Sequence, residues 1–143
     1  MRLDQLLQDV SVLQWKADPA MQITQVVYDS RKVTPGCVFV AVSGFASDGN
    51  RFIPMAMEKG AVVVVTAKKP ELDVPYVLVE SDRLALAYLG RNFYGNPAAS
   101  MQMIGVTGTN GKGSVSSMIT NIILAAGLKV GKFTSPHLVK YNE

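Results

Sequence analysis

Cysteine, histidine and tryptophan are scarce, with one of each in 143 residues. The lone Cys37 excludes an internal disulfide and suits a reduced, cytoplasmic setting. His137 reads as a solvated loop residue rather than a ligand. Trp15 reads as core or domain-junction packing. No run of about 18 apolar residues occurs, so no membrane span is expected. Residues 1–10 lack the basic start and apolar stretch of a signal peptide. No sign of charge dominates: Lys plus Arg is 14 against 11 Asp plus Glu, a net +3. The charges are scattered, which argues against a nucleic-acid-binding stripe. Apolar residues make up 48% and charged residues 17%, a globular balance that excludes extended disorder.

The pattern that remains alternates strands and helices, the mark of an α/β fold. Residues 3–10 carry Leu3, Leu6, Leu7 and Val10 on one helical face. Residues 23–28, 37–42, 61–66 and 74–79 read as strands, the second and third as near-continuous apolar runs. Thr34-Pro35-Gly36 marks a turn. Asn50 is placed to cap a helix through Lys59, and Asp82 one running to about Tyr94. Gly95-Asn96-Pro97 then breaks the chain, giving domains at 1–97 and 98–143. In the second, residues 101–107 read as a strand, 108–111 as a glycine-rich turn, 112–126 as a helix and 129–134 as a parallel strand. The helix sets Val115, Met118, Ile119, Ile122 and Ile123 along one stripe.

Chemistry concentrates in Gly108-Thr109-Asn110-Gly111-Lys112-Gly113-Ser114. Glycines let backbone N–H groups approach phosphate oxygens, and a helix N-terminus adds unpaired donors and partial positive charge. Lys112 brings a full charge for β- and γ-phosphates, and the Ser114 hydroxyl can hold Mg²⁺. The general phosphate-loop pattern is not met in full, because Val106 stands where it has glycine and Gly113 where it has Ser or Thr.

Thr107-Gly108-Thr109-Asn110-Gly111-Lys112 resembles the ATP loop of the Mur ligase superfamily of ATP-dependent amide ligases. Residues 23–105 resemble the N-terminal domain of the UDP-MurNAc-tripeptide synthetases. Tyr28-Asp29-Ser30-Arg31, Pro35-Gly36, Asp48-Gly49, Gly60-Ala61 and Phe93-Tyr94 carry that likeness. Residues 106–143 resemble folylpolyglutamate synthase instead, through Gly111-Lys112-Gly113-Ser114, Phe133-Thr134-Ser135-Pro136-His137-Leu138 and Tyr141-Asn142-Glu143.

The resemblance implies a small UDP-binding α/β domain followed by the first strand–phosphate loop–helix–strand unit of a parallel-sheet ATPase domain. It implies that Tyr28, Ser30, Phe45, Ala46 and Ser47 contact UDP-MurNAc-dipeptide. ATP would lie on residues 108–114, with Lys112 serving catalysis and Ser114 and Ser135 holding Mg²⁺. The reaction would join an amino acid to UDP-MurNAc-L-Ala-D-Glu through an acyl phosphate. With the rest of the ATPase domain and the amino-acid-binding domain lying beyond residue 143 in such enzymes, this chain is expected to bind without ligating. Two other readings stand beside it: a folate-ligase portion that binds pteroate, and a non-catalytic module or engineered α/β chimera. Thinly covered strands at 101–106 and 129–134 further predict packing on the first domain or self-association through sheet edges.

Overall fold

The computed structural model describes residues 1–44 and 48–134. The chain divides into two compact units, Met1–Met101 and Gln102–Glu143.

The first unit holds strands β1 (Val12–Lys16), β2 (Val26–Val27), β3 (Val38–Ala41), β4 (Val63–Thr66) and β5 (Tyr76–Val79). They form one sheet in the order β1-β5-β4-β3-β2. Strands β2 to β5 run parallel, and β1 borders β5 antiparallel. Alternate side chains of β3, β4 and β5 point to opposite faces, and both faces are covered. Val38, Val40, Val63, Val65, Val77 and Val79 pack with Leu3 and Leu6 of α1 (Leu3–Leu6) and with Ala85 and Leu89 of α3 (Asp82–Phe93). Phe39, Ala41, Val64 and Tyr76 pack on the other side with Ile53 and Ala56 of α2 (Ile53–Glu58). Each valine so buried contributes about 1.5–3 kcal/mol. Cys37 is fully buried in this second layer, and burial pushes its thiol pKa up.

Helix α2 supplies the crossover from β3 to β4, whereas β4 reaches β5 through residues 67–75 without a helix. Several elements depart from expectation. The first helix stops at Leu6, and β2 keeps only two residues, Val26 and Val27, paired with Val38 and Phe39. Strand β1 was not expected. It lies at the edge, mostly exposed, and owes its conformation to its pairing with β5. Trp15 sits on it 40% exposed, so it is not a core residue. Ser81, not Asp82, caps α3 by accepting from Leu84 N–H at 3.3 Å. Asp48, not Asn50, begins the 3-10 turn Gly49–Phe52 that leads into α2.

In the second unit α4 (Lys112–Ala125) is formed, but residues 101–107 and 129–134 adopt no strand. A parallel strand needs a hydrogen-bonded neighbour and cover on both faces, and residues 101–105 are all exposed. The sheet edges expected to drive self-association are therefore not formed among the described residues. Of the expected apolar stripe of α4, Val115, Met118 and Ile122 are exposed and Ile119 and Ile123 half-buried, and no residue of the helix is fully buried. After α4 the chain runs back along it, with Lys132 Nζ donating to Ser117 Oγ at 2.7 Å.

Close approach singles out Gly49, whose N–H donates to Val42 O at 3.0 Å. A Cβ there would lie 2.5 Å from Val42 O and 2.7 Å from Val42 N. We expect Gly49→Ala to lower unfolding stability by about 1–3 kcal/mol, the usual cost of overpacking. Urea denaturation checks this, and an unchanged midpoint contradicts the contact.

Candidate functional site

Adjacent parallel strands deliver their C-terminal ends to one edge of the sheet, where α/β folds bind ligands. Val27 of β2 lies opposite Phe39 of β3, so the residues after β2 and those after β3 emerge on the same side. Tyr28 follows β2 with 67% of its surface exposed. Asp29 then starts the 3-10 turn Ser30–Lys32 by accepting from Arg31 N–H at 3.0 Å and pairing with the Arg31 guanidinium at 2.7 Å. Ser30 is buried, and its carbonyl accepts from Lys59 Nζ at 3.1 Å. Tyr28 and Ser30 thus stand at the edge that β3 feeds through Ser43 and Gly44. Phe45, Ala46 and Ser47 lie outside the described residues, as do Ser135 and His137.

A polar network joins Ser43 and Asp48 to β4 and α3, and the sequence alone assigns its Asp48 and Asn50 only turn and cap roles. Ser43 and Asp48 form an antiparallel bridge. Asp48 Oδ1 accepts from the backbone N–H of Asn50 at 3.0 Å and from Asn50 Nδ2 at 2.7 Å, while Oδ2 meets Lys68 Nζ at 2.8 Å. Thr66, the last residue of β4 and fully buried, donates from its hydroxyl to Asn50 Oδ1 at 2.7 Å and accepts from Lys68 N–H at 3.0 Å. Asp82, also buried, accepts from Ser43 N–H at 2.8 Å. The signal for Thr66 was available: a single hydroxyl ends a run of four valines. Asp82 was hidden because Ser-Asp before a helix reads as capping whichever residue caps.

Beside this network lies an open cavity of about 520 Å³, left where no helix joins β4 to β5. Arg51, Lys68 and Lys69 line it along with Asp48 and Glu71. The Arg51 guanidinium also lies over the Phe52 ring, 4.8 Å from its centroid.

In the second unit Gly111 takes φ +77° as the N-cap of α4, a left-handed backbone that favours glycine. No side chain caps the helix, which leaves its first-turn N–H groups available to a ligand. A Cβ at Gly105, Gly111 or Gly113 would meet nothing within 4 Å, so the loop is open to an approaching group. Lys112 Nζ donates to the carbonyls of Gly108 and Thr109, which holds the ammonium over the loop formed by Gly108, Thr109, Asn110 and Gly111. Ser114 is exposed one turn into the helix. Open amides, a fixed cation and a nearby hydroxyl fit a polyphosphate with its divalent cation. Among the described residues no cluster of His, Cys, Asp or Glu could hold a metal, so a cation here would need ligand oxygens besides Ser114. No helix among them is long and apolar enough to cross a membrane.

Comparison with known proteins matches residues 22–96 to the model of the Mur ligase family, catalytic domain. The matched stretch carries the 28–30 turn and the polar network and ends ahead of the glycine-rich loop. A UDP-N-acetylmuramoyl-L-alanyl-D-glutamate–2,6-diaminopimelate ligase from Alkaliphilus metalliredigens is 42% identical over 133 residues, covering 92% of this chain and 27% of that protein. The ligase of the same name from Chlorobium phaeobacteroides is 38% identical over 149 residues, covering 100% of this chain and 29% of its own length. The crystal structure of MurF ligase from Thermotoga maritima in complex with ADP shares 31% identity at a TM-score of 0.61, covering 85% of this chain and 27% of that one. The chain therefore spans a little over a quarter of the length of the curated relatives it matches. An alignment covering the whole chain runs through the glycine-rich loop to the end. The folylpolyglutamate-type reading of residues 106–143 draws no support from it.

Two carboxyls at the site are held low. The Arg31 guanidinium and backbone amide bring Asp29 down to about 2, and the Lys68 ammonium with the Asn50 side chain and amide holds Asp48 well below the ordinary 3.8. A lowered folded value means the ionised form supports the fold. That contribution is complete above about pH 4 and is lost as pH falls through the lowered values. We expect exchange protection of the Arg31 and Asn50 amides to be flat from pH 7 to about 4.5 and to fall below pH 3. Protection that instead declines between pH 7 and 5 contradicts this assignment.

Proposed function

The chain belongs to the Mur ligase family, and from that premise we propose that it supplies the nucleotide-sugar site and the phosphate loop of an ATP-dependent amide ligase. The reading takes the substrate as UDP-MurNAc-L-Ala-D-Glu and the added amino acid as 2,6-diaminopimelate, in peptidoglycan synthesis. The names of the matched relatives support that choice. One observation carries it for this chain: the 28–30 turn and the polar stems at Ser43 and Asp48 leave neighbouring parallel strands at the same sheet edge. Tyr28 and Ser30, with Phe45, Ala46 and Ser47, receive the UDP moiety in this reading.

The phosphate loop is assigned to ATP, with Gly108, Thr109, Asn110, Gly111, Lys112, Gly113 and Ser114 against the phosphates. The MurF ligase from Thermotoga maritima, solved in complex with ADP, supports the choice of nucleotide. When bound with Mg²⁺, ATP activates the substrate carboxylate by phosphorylation. The chain's own part is electrostatic: Lys112 and the first-turn amides of α4 neutralise charge on the phosphoryl oxygens, and Ser114 orients the cation. Ser135 is a second cation ligand in the same reading. No residue besides Lys112 is assigned to the chemical step.

Calorimetry with UDP-MurNAc-L-Ala-D-Glu, Mg·ATP and dihydropteroate tests the proposal. The UDP ligand should bind, with Ser30→Ala weakening it about tenfold, the scale of one lost buried hydrogen bond. Dihydropteroate should not bind, and its binding in place of the UDP ligand overturns the reading. Lys112→Ala should cut Mg·ATP affinity by at least about tenfold while melting temperature and UDP affinity stay unchanged. Equal nucleotide affinity in that variant removes Lys112 from the site.

A further inference from the structure

The connection from β2 to β3 carries Tyr28 and Ser30, the two described residues assigned to UDP. Its first part is shaped from within. Asp29 accepts from Arg31 N–H at 3.0 Å and pairs with the Arg31 guanidinium, and Lys32 N–H donates to Asp29 O at 2.9 Å. These bonds form the turn but do not tie it to the rest of the fold. Ser30 is 7% exposed, and among the described residues its hydroxyl makes no hydrogen bond. A polar group buried so far costs free energy until a ligand or water meets it. Where the turn holds that hydroxyl therefore decides what it can meet.

The tether comes from the end of α2. Lys59 is rooted there through its backbone: its N–H donates to Met55 O at 3.1 Å, and the amides of Gly60 and Ala61 donate to Met57 O and Ala56 O at 3.0 Å each. From that base Lys59 Nζ reaches Ser30 O at 3.1 Å in a partly buried bond. Gly60 holds the far end of the same connection, accepting from Gly36 N–H at 2.9 Å. Gly60 takes φ +102°, and a Cβ there would lie 3.0 Å from Pro35 Cα, so this close approach favours glycine. Two successive residues thus clamp the connection at both ends. Among the described residues Lys59 pairs with no carboxylate and its ammonium has no second acceptor, so nothing there competes with the Ser30 carbonyl.

We propose that Lys59 is a positioning residue for nucleotide-sugar binding: its ammonium on the Ser30 carbonyl fixes the Ser30–Lys32 turn against α2 and so sets where the Ser30 hydroxyl meets the UDP moiety. The inference rests on the assignment of Ser30 to UDP above. A charged donor binds a carbonyl more strongly than a neutral one does, and partial burial strengthens the bond further. The requirement is for an N–H donor at the end of a long side chain, without contact to the ligand. Arginine meets it, and methionine does not. The side chain of Lys59 is otherwise exposed, so its replacement removes little packing.

The experiment measures affinity for UDP-MurNAc-L-Ala-D-Glu by calorimetry in the full chain, for Lys59→Met, Lys59→Arg, Ser30→Ala and the double variant Lys59→Met with Ser30→Ala. Lys59→Met should weaken binding about fivefold, the scale of one hydrogen bond, with Mg·ATP affinity unchanged. Lys59→Arg should stay within about twofold of the parent. Because Lys59 acts through Ser30, its loss in the Ser30→Ala background should cost less than about twofold. A general loss of stability would weaken binding alike in both backgrounds, so the cycle separates positioning from support of the fold. Circular dichroism identifies a variant that has lost its fold, and Lys59→Ala replaces Lys59→Met should that occur. Unchanged affinity in a folded Lys59→Met chain overturns the proposal. So does a Lys59→Arg chain that binds as weakly as Lys59→Met, or a loss that persists in full when Ser30 is already alanine. A parent chain that does not bind the UDP ligand, or a Ser30→Ala chain that binds it as tightly as the parent, overturns the underlying assignment instead.

Discussion

Burial of β3, β4 and β5 on both faces is the constraint from which the rest follows. A parallel strand covered by helices on each side has no position at which a polar side chain can reach water, so its residues are valine, alanine, phenylalanine and the like from end to end. Polar groups are pushed to the strand termini. There the backbone ladder ends and carbonyl and amide groups need new partners. The sheet thus segregates its own side chains: an apolar interior and polar groups at the strand ends. Thr66 illustrates the boundary, sharing the burial of the valines before it and the hydrogen bonding of the loop after it.

The two units illustrate how much a local sequence signal depends on its surroundings. Apolar runs at 37–42 and 61–66 became strands because each had a neighbour on both sides in the sheet. Residues 101–107 carry a comparable run, Met103-Ile104-Gly105-Val106, and form none. The same contrast holds for helices. Ala85 and Leu89 of α3 vanish into a core, while Met118 and Ile122 of α4 face outward although their spacing is as regular. Periodicity states which face a helix would bury, and only a partner surface decides whether it does.

Legibility followed the same line. The three central strands, α3 and its break at Gly95, and the glycine-rich turn before α4 were readable because each is set by local composition. Strand β1 was not. Val12-Leu13-Gln14-Trp15-Lys16 has no clean alternation, and its strand character is imposed by β5, at least sixty residues away in sequence. Helix starts were misassigned by one or two residues where good capping residues stand close together, as Ser81 and Asp82 do, or Asp48 and Asn50. In each pair the side chain that did not cap turned out to bond across the fold: Asp82 to Ser43, and Asn50 to Thr66. Tyr28 and Ser30 were singled out through family likeness alone, and the structure places them just after β2, the parallel neighbour of β3.

Cys37 gives this architecture a built-in reporter. Its sulfur is shut between α2 and the sheet, and burial disfavours the thiolate that alkylating and oxidising reagents require. With no second cysteine in the chain, labelling cannot be confused by another site. The rate at which a thiol reagent modifies the native protein therefore counts the openings of the inner layer itself.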